Sequence, residues 1–416
     1  MLAIHGGSPV LNREGPHFVW PRITPAIEAA VLRQLRTSTS IKDRSGVVAE
    51  LEDKFARYYA TRWALSHSSG TMAIFAMFDA LGLSPGDEVI CPNYTWFATA
   101  SPLAYLGLVP VFCDADEHGN LDPERVTELI GERTRALIVT HMWGMPCDMA
   151  PLVRLCQSRG LELLEDCSHA HGASYHGAKV GTFGAAAVWS MQAAKLVSAG
   201  EGGMLLTDRE DLYVRATLAG HYNRRCKQEI ALDHPLREFW QTGFGLKLRA
   251  HPLALAMANE QFDHLDAWLL QKRRFAQQMQ DSWREFRFLR LPLEKECQSA
   301  WYVFALRFDE VQARVSRTTF HRALLAEGLT DVDVPELTGP IAQLPLFQNL
   351  ARARPAFFPR ATRVASDAFP VSKRLWRETL TVPVWTEPDD AVLVERYIEG
   401  VRKVARAVER GELRDP

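Results

Sequence analysis

The chain has 416 residues, 47% of them hydrophobic and 24% charged, enough apolar material for a large core divided between a major and a minor domain. A formal net charge of -2 gives no sign of a polyanion-binding protein, so nucleic acid is a poor guess for a partner. Seven scattered cysteines with no C-x-x-C pair suggest neither a disulfide framework nor a zinc knuckle and fit a reducing cytoplasm. The amino terminus, MLAIHGGSPVLNREG, has no basic stretch followed by a long apolar one. No run elsewhere approaches the ~20 apolar residues of a membrane span, so a soluble protein is expected.

In chain order, residues 1–25 read as an N-terminal segment, 26–265 as a large domain and 266–416 as a smaller one. VVAELEDKFARYYA carries apolar residues at helical spacing, and WALSHSSGTMAIFAMFDALGL enters a second helix just after a Ser-Ser-Gly-Thr turn. DEVICP, VPVFCD, ALIVTH and LELLED are short, apolar and bounded by turns, with helices expected near 98–105, 123–130 and 149–158 between them. This alternation predicts an α/β fold whose mostly parallel sheet is covered on both faces and gathers its sites at the carboxyl ends of the strands. AAAVWS and GGMLLTD, two more strand-like stretches, flank a lysine and a glycine-rich turn. A long helical pattern runs roughly over 252–286. The last third, with AWYVFALRF, TTFHRALLAEGL and AVLVERYIEGVRKVARAVE, reads as a small α/β domain ending in a helix.

The stretch EDCSHAHGA, 165–173, concentrates chemistry: an acidic pair, a cysteine, a serine and two histidines. Asp166 closes the LELLED strand, and a buried carboxylate there needs a cation or hydrogen-bond donors to stay ionised. The protonated nitrogen of a pyridine cofactor is one such cation. A Schiff-base lysine and a phosphate-holding turn would complete a pyridoxal-phosphate site. Ser69, Gly70 and Thr71 lie at a helix start suited to a phosphate. Trp96 follows the DEVICP strand, where a flat aromatic could cover a ring or simply join the core. Lys195 precedes the Gly200, Gly202 and Gly203 turn, and Ser190 could give a hydroxyl to the phosphate. His169 has a site reading and a structural one, His171 reads as structural and Cys167 as small packing. A metal centre is not expected, because neighbouring residues on an extended segment face opposite ways.

Five ordered blocks, SSGTMAIFA, NYTWFATA, EDCSHAHGA, WSMQAAKLVSAGEGGMLLTD and VPVWTEPDDAVLVERYIEGVRKV, together resemble the DegT/DnrJ/EryC1/StrS aminotransferases over nearly the whole chain. The resemblance implies fold type I, with a seven-stranded sheet and a small C-terminal domain, and transfer of an amino group from glutamate or glutamine to a keto sugar or keto-cyclitol. It implies that Lys195 bonds pyridoxal 5'-phosphate, Asp166 pairs its ring nitrogen, Trp96 stacks on the ring, and Gly70, Thr71 and Ser190 bind the phosphate. His169 stands where many members have Gln, and would contact the ring or its phenolic oxygen. In GLKLRAHPLA, Lys247 replaces an Asn that members donate across a homodimer to the neighbouring phosphate, and Arg249 matches the family arginine. Two other readings are weighed against this one. A deoxysugar dehydratase on the same scaffold would carry His in place of Lys195, and a non-catalytic relative would have lost Lys195 or Asp166. The residues in HYNRRCKQEI and REFWQTGFGLKLR are rich in groups able to pair with anions, but they name no acceptor.

Overall fold

A computed structural model of the chain describes residues 1–358 and 368–416. Seven strands form the central sheet: β1 (Trp63–His67), β2 (Glu88–Pro92), β3 (Val109–Cys113), β4 (Thr134–Thr140), β5 (Glu162–Asp166), β6 (Ala186–Ser190) and β7 (Gly203–Thr207). Their order is β1-β7-β6-β5-β4-β2-β3. β7 runs antiparallel to both its neighbours and every other pairing is parallel, so β1, β2, β4, β5 and β6 all end at one edge. Thr140, Asp166 and Ser190 are the last residues of three of those strands.

Strand alternation sends side chains to two apolar layers. Leu137 and Val139 of β4 face a core shared with Leu51 and Phe55, while Ala136 and Ile138 face one shared with Met77 and Ala216. The helices supplying these layers are α1 (Pro25–Thr37), α2 (Gly46–Tyr59), α3 (Gly70–Ala80), α4 (Met149–Arg159), α5 (Glu210–Gly220) and α6 (Pro252–Phe262). Next comes α7 (Leu265–Trp283), which leads to a third core. There β8 (Leu289–Arg290), β9 (Phe304–Phe308) and β10 (Thr379–Val382) pair antiparallel beside α8 (Arg317–Ala326) and α9 (Ala391–Glu409). Trp283, Phe304, Phe320 and Tyr397 fill that core.

Two expectations need correction. The helical pattern over 252–286 is two helices, broken at Asp263 and His264 where Lys54 bonds both the Asn259 carbonyl (2.9 Å) and the Asp263 carboxylate (2.7 Å). The segment near 98–105 is a 3-10 turn, Phe97–Thr99, followed by the single turn Leu103–Leu106, with Pro102 between them. The helix expected after the Ser-Ser-Gly-Thr turn is α3, opening at Gly70, and WALSH before it is β1, paired along its whole length with β7.

Both ends of the chain are tied into other parts of the fold. Leu2 lies in the third core, the Ala3 N–H donates to Glu327 (2.8 Å), and the His17 ring is 2.8 Å from the Tyr397 hydroxyl. The Trp20 indole N–H donates to the Lys195 carbonyl at 2.8 Å. From the C-terminal part, Gly339–Pro340 pairs with Tyr94–Thr95, and Ile341 and Phe347 join the core under the large sheet.

Candidate active site

The site begins where β1, β7 and β6 meet. Gly203, first residue of β7, pairs with His67 on one side and Ser190 on the other. A Cβ at Gly203 would stand 2.3 Å from the Ser69 carbonyl oxygen, and one at Gly70 would stand 2.7 Å from the Ser190 Cβ. Glycine at both positions lets the start of α3 lie against the end of β6. Ser69 caps α3 by accepting the Met72 N–H at 3.1 Å. Gly70 and Thr71 open the helix, where N–H groups have no intrahelical acceptor and the helix dipole is positive. Anion binding is the chemistry this corner offers.

Two strands away, Asp166 is buried and accepts the Thr99 hydroxyl at 2.8 Å and the Ser168 N–H at 3.1 Å. Thr95 joins Thr99 (3.0 Å) and Thr140 (3.2 Å) behind it, so the carboxylate is held by a small hydroxyl network. Glu165 points to the opposite face and does structural work. It accepts N–H groups from Gly181 (2.6 Å), Phe183 (2.7 Å) and Gly184 (2.8 Å), and faces His141 Nε2 at 3.2 Å. His141, Glu165 and Cys167 have ligand atoms close enough to share a metal. However, His141 Nδ1 accepts the Cys147 N–H at 3.0 Å, which leaves its Nε2 proton for Glu165, while burial pushes the Cys167 thiol well above its usual range. Those ligands are already committed to hydrogen bonds and protons.

Lys195 follows β6 in a turn closed by its N–H to the Gln192 carbonyl at 2.8 Å. Burial lowers its amine to about 8, partly offset by the negative charge of Asp166. Its Nζ lies 4.4 Å from the centroid of Tyr302, on which the His169 ring stacks at 4.2 Å and 7°. Trp143 lies nearly parallel to His169, with centroids 5.7 Å apart. Burial, then the Lys195 charge, holds His169 well below the ordinary histidine range, and its buried Nδ1 has no hydrogen-bond partner among the described residues. His171 is also buried and pushed down to about 3, again chiefly by burial.

A cleft of about 1050 Å³ joins these parts. Ser69, Gly70, Thr71 and Ser190 line one end, and Asp166, His169 and Lys195 its floor. Trp96, 38% exposed and tilted against Phe97, lines it too, which removes the core reading of that residue. His171 is not in the lining. Lys247 does not reach the cleft within one chain; it is exposed on the loop before Arg249, whose guanidinium sits 3.6 Å from the Tyr222 ring centroid.

Sequence reasoning missed Thr99, Trp143, Tyr302 and the far wall, where Arg317, His321, Asp333 and Glu336 descend from the small domain. Thr99 was visible within NYTWFATA, four residues from Thr95; the others carry no local motif. Two anion-pairing arginines in the polar region turn inward. Arg225 is buried and bidentate to Glu52, at 2.9 Å for both bonds, and Arg237 donates to the carbonyls of Lys227 (2.7 Å) and Ile230 (2.5 Å).

Residues 22–386 match the DegT/DnrJ/EryC1/StrS aminotransferase family, and the chain belongs to that family. It is an aminotransferase of the pyridoxal-phosphate-dependent class. It is similar to the L-glutamine:scyllo-inosose aminotransferase of Streptomyces griseus, at 31% identity over 97% of this chain and 99% of that one. With the L-glutamine:2-deoxy-scyllo-inosose aminotransferase of Streptomyces lividus it shares 34% identity over 85% and 84% of the two chains. An aminotransferase from Psychrobacter cryohalolentis superposes with a TM-score of 0.83 at 24% identity, over 95% of this chain and all of that one, and so shares its fold.

Proposed function

We propose that the protein moves the amino group of L-glutamine, or of glutamate, to the ketone of a cyclitol, giving an aminocyclitol. The observation that carries this reading is the convergence, in one cleft, of the Lys195 amine, the Asp166 carboxylate and the opening turn of α3. The residues fit pyridoxal phosphate: the Gly70 and Ser190 corner would hold the phosphate, Asp166 the proton of the ring nitrogen, and Trp96 and His169, which line the cleft, would lie against the ring. When bound, the cofactor supplies a carbonyl that carries the amino group and a ring that accepts electrons.

The protein's own part is to hold and move protons. Asp166, fixed by Thr99, would hold the proton on a pyridine nitrogen, and Lys195 would hold the cofactor by its amine and, when free, could accept a proton from the donor's α-carbon. An amine at about 8 is partly neutral at cytoplasmic pH and can do both. The cleft favours a hydroxyl-rich acceptor without phosphates: Asp333 and Glu336 of the far wall and Glu201 of the turn after Lys195 oppose a diphosphate, and Arg317 is already donating to the Trp376 (2.9 Å) and Thr379 (3.0 Å) carbonyls. The names of the Streptomyces relatives support the same donor and acceptor class.

The working unit we propose is a homodimer in the cytoplasm, in which Lys247 reaches the partner's phosphate as a point charge. We place the division between the domains near residue 265, a reading that the break between α6 and α7 supports. The purified protein, incubated with pyridoxal phosphate and L-glutamine, should aminate scyllo-inosose or 2-deoxy-scyllo-inosose in preference to keto-nucleotide sugars, as read by mass spectrometry. Turnover of a nucleotide sugar alone would overturn the cyclitol assignment.

A further inference from the structure

Tyr302 belongs to none of the five sequence blocks, yet it lines the cleft beside Lys195 and His169. Its N–H donates to the Trp143 carbonyl at 3.1 Å, and Ala300 donates to the Gly144 carbonyl at 3.0 Å. Gly144 permits this approach: a Cβ there would stand 2.9 Å from the Tyr302 nitrogen and 3.0 Å from the His169 carbonyl oxygen. Gly144 also has φ 92°, in the left-handed region. The backbone that carries the ring is therefore fixed, and the His169 ring stacks on that ring with the Lys195 ammonium 4.4 Å from its centroid.

Few charges compete for that ammonium. Asp166 comes from the end of β5, His169 and His171 from the turn after it, and Tyr302 from the segment before β9. Both histidines are neutral, held below their ordinary range by burial. The Tyr302 hydroxyl is pushed up to about 12 by burial and stays protonated, so what it offers Lys195 is an uncharged π face.

We propose that Tyr302 is a positioning residue whose ring holds the free Lys195 ammonium by cation–π attraction, keeping the amine in the cleft whenever it is not bonded to the cofactor. The proposal rests on the reading of Lys195 as the cofactor-bonding lysine.

The test uses the protein freed of cofactor. Competitive labelling with acetic anhydride across a pH series, followed by peptide mapping, gives the titration midpoint of Lys195. Tyr302→Phe keeps the face and should leave the midpoint in place. Replacing Tyr302 with 3,4,5-trifluorophenylalanine keeps the shape but drains the face of negative charge, and should lower the midpoint by about half a pH unit. Tyr302→Leu should lower it too. If the ring were only a wall, Leu would admit water and move the midpoint upward, so the sign separates the two roles. A midpoint unchanged or raised in the trifluoro variant overturns the proposal. Borohydride trapping of the cofactor on a different lysine would instead overturn the reading of Lys195, whatever the midpoints show.

Discussion

The lowered amine of Lys195 makes a quantitative prediction. An ordinary lysine titrates near 10.5 and Lys195 near 8. About a tenth of the Lys195 amines are then neutral at pH 7 and half at pH 8, so its reactivity toward acetic anhydride should rise about fivefold over that unit and no more than about twofold beyond it. An exposed lysine should rise about tenfold per unit across the same range and continue to pH 10. Because each profile is compared with itself, intrinsic nucleophilicity cancels. Lys272 supplies an internal control: burial lowers it to about 7, but it is enclosed and donates to the Val384 carbonyl at 2.6 Å. It should remain unlabelled in the folded protein, which separates a low pKa from access. The assay is trace acetylation of the cofactor-free protein, quenching and peptide mapping. A Lys195 profile running parallel to the exposed lysines up to pH 10 would refute the argument that burial in this cleft activates it.

Three further outcomes are expected. Asp166→Asn should fold normally but lose most of the half-reaction with L-glutamine, because an amide cannot hold a proton on the ring nitrogen as the carboxylate does; near-normal single-turnover rates would contradict the role. Glu165→Gln can still serve Phe183 and Gly184, but its amide N–H groups oppose those of Gly181 and His141. Two buried donors left unmatched should cost about 2–5 kcal/mol in urea denaturation, and a loss below about 1 kcal/mol would show that Glu165 is not the staple described. Refolding Lys195→Ala with Lys247→Ala in equal amounts gives heterodimers with one intact site, so activity should recover to about a quarter of wild type. Activity no higher than the mean of the two parents, with subunit exchange confirmed, would remove Lys247 from the partner's site.

What could be read from the chain follows from where the information lies. Six strands of the large sheet are apolar runs closed by turns, and the residues that line the near wall sit on short motifs beside them: Ser69 to Thr71, Asp166, Ser190 and Lys195. β1 was hidden because Trp-Ala-Leu-Ser-His has no continuous apolar run; its Ser66 donates its N–H and its hydroxyl to Glu52 of α2, both at 2.9 Å. The break between α6 and α7 has no proline or glycine to announce it, since Lys54 of α2, two hundred residues earlier, bonds the residues around it. Tyr302, Arg317 and Glu336 escaped for the same reason: the docking of the small domain against the sheet, not any local spacing, places them in the cleft. Within EDCSHAHGA, alternation sorts the acidic pair, with Glu165 turned to the backbone loop and Asp166 to the site.

The attachment of the first twenty residues has a consequence for how the chain matures on the ribosome. Ala3, His17 and Lys403 meet through Glu327, Tyr397 and Asp331, partners made more than three hundred residues after the N-terminal segment emerges. Until those partners are synthesised, Ala3 and His17 lack these bonds, whereas Trp20 can already rest on the Trp268 ring, 4.8 Å away, with its N–H on the Lys195 carbonyl. The turn that presents the lysine can therefore be tethered once α7 exists, while the segment before Trp20 is fastened only after Glu327 and Asp331 have been made. Nascent chains halted after α7 but before Glu327 should therefore hold Trp20 against the lysine turn while residues 1–17 stay open to protease.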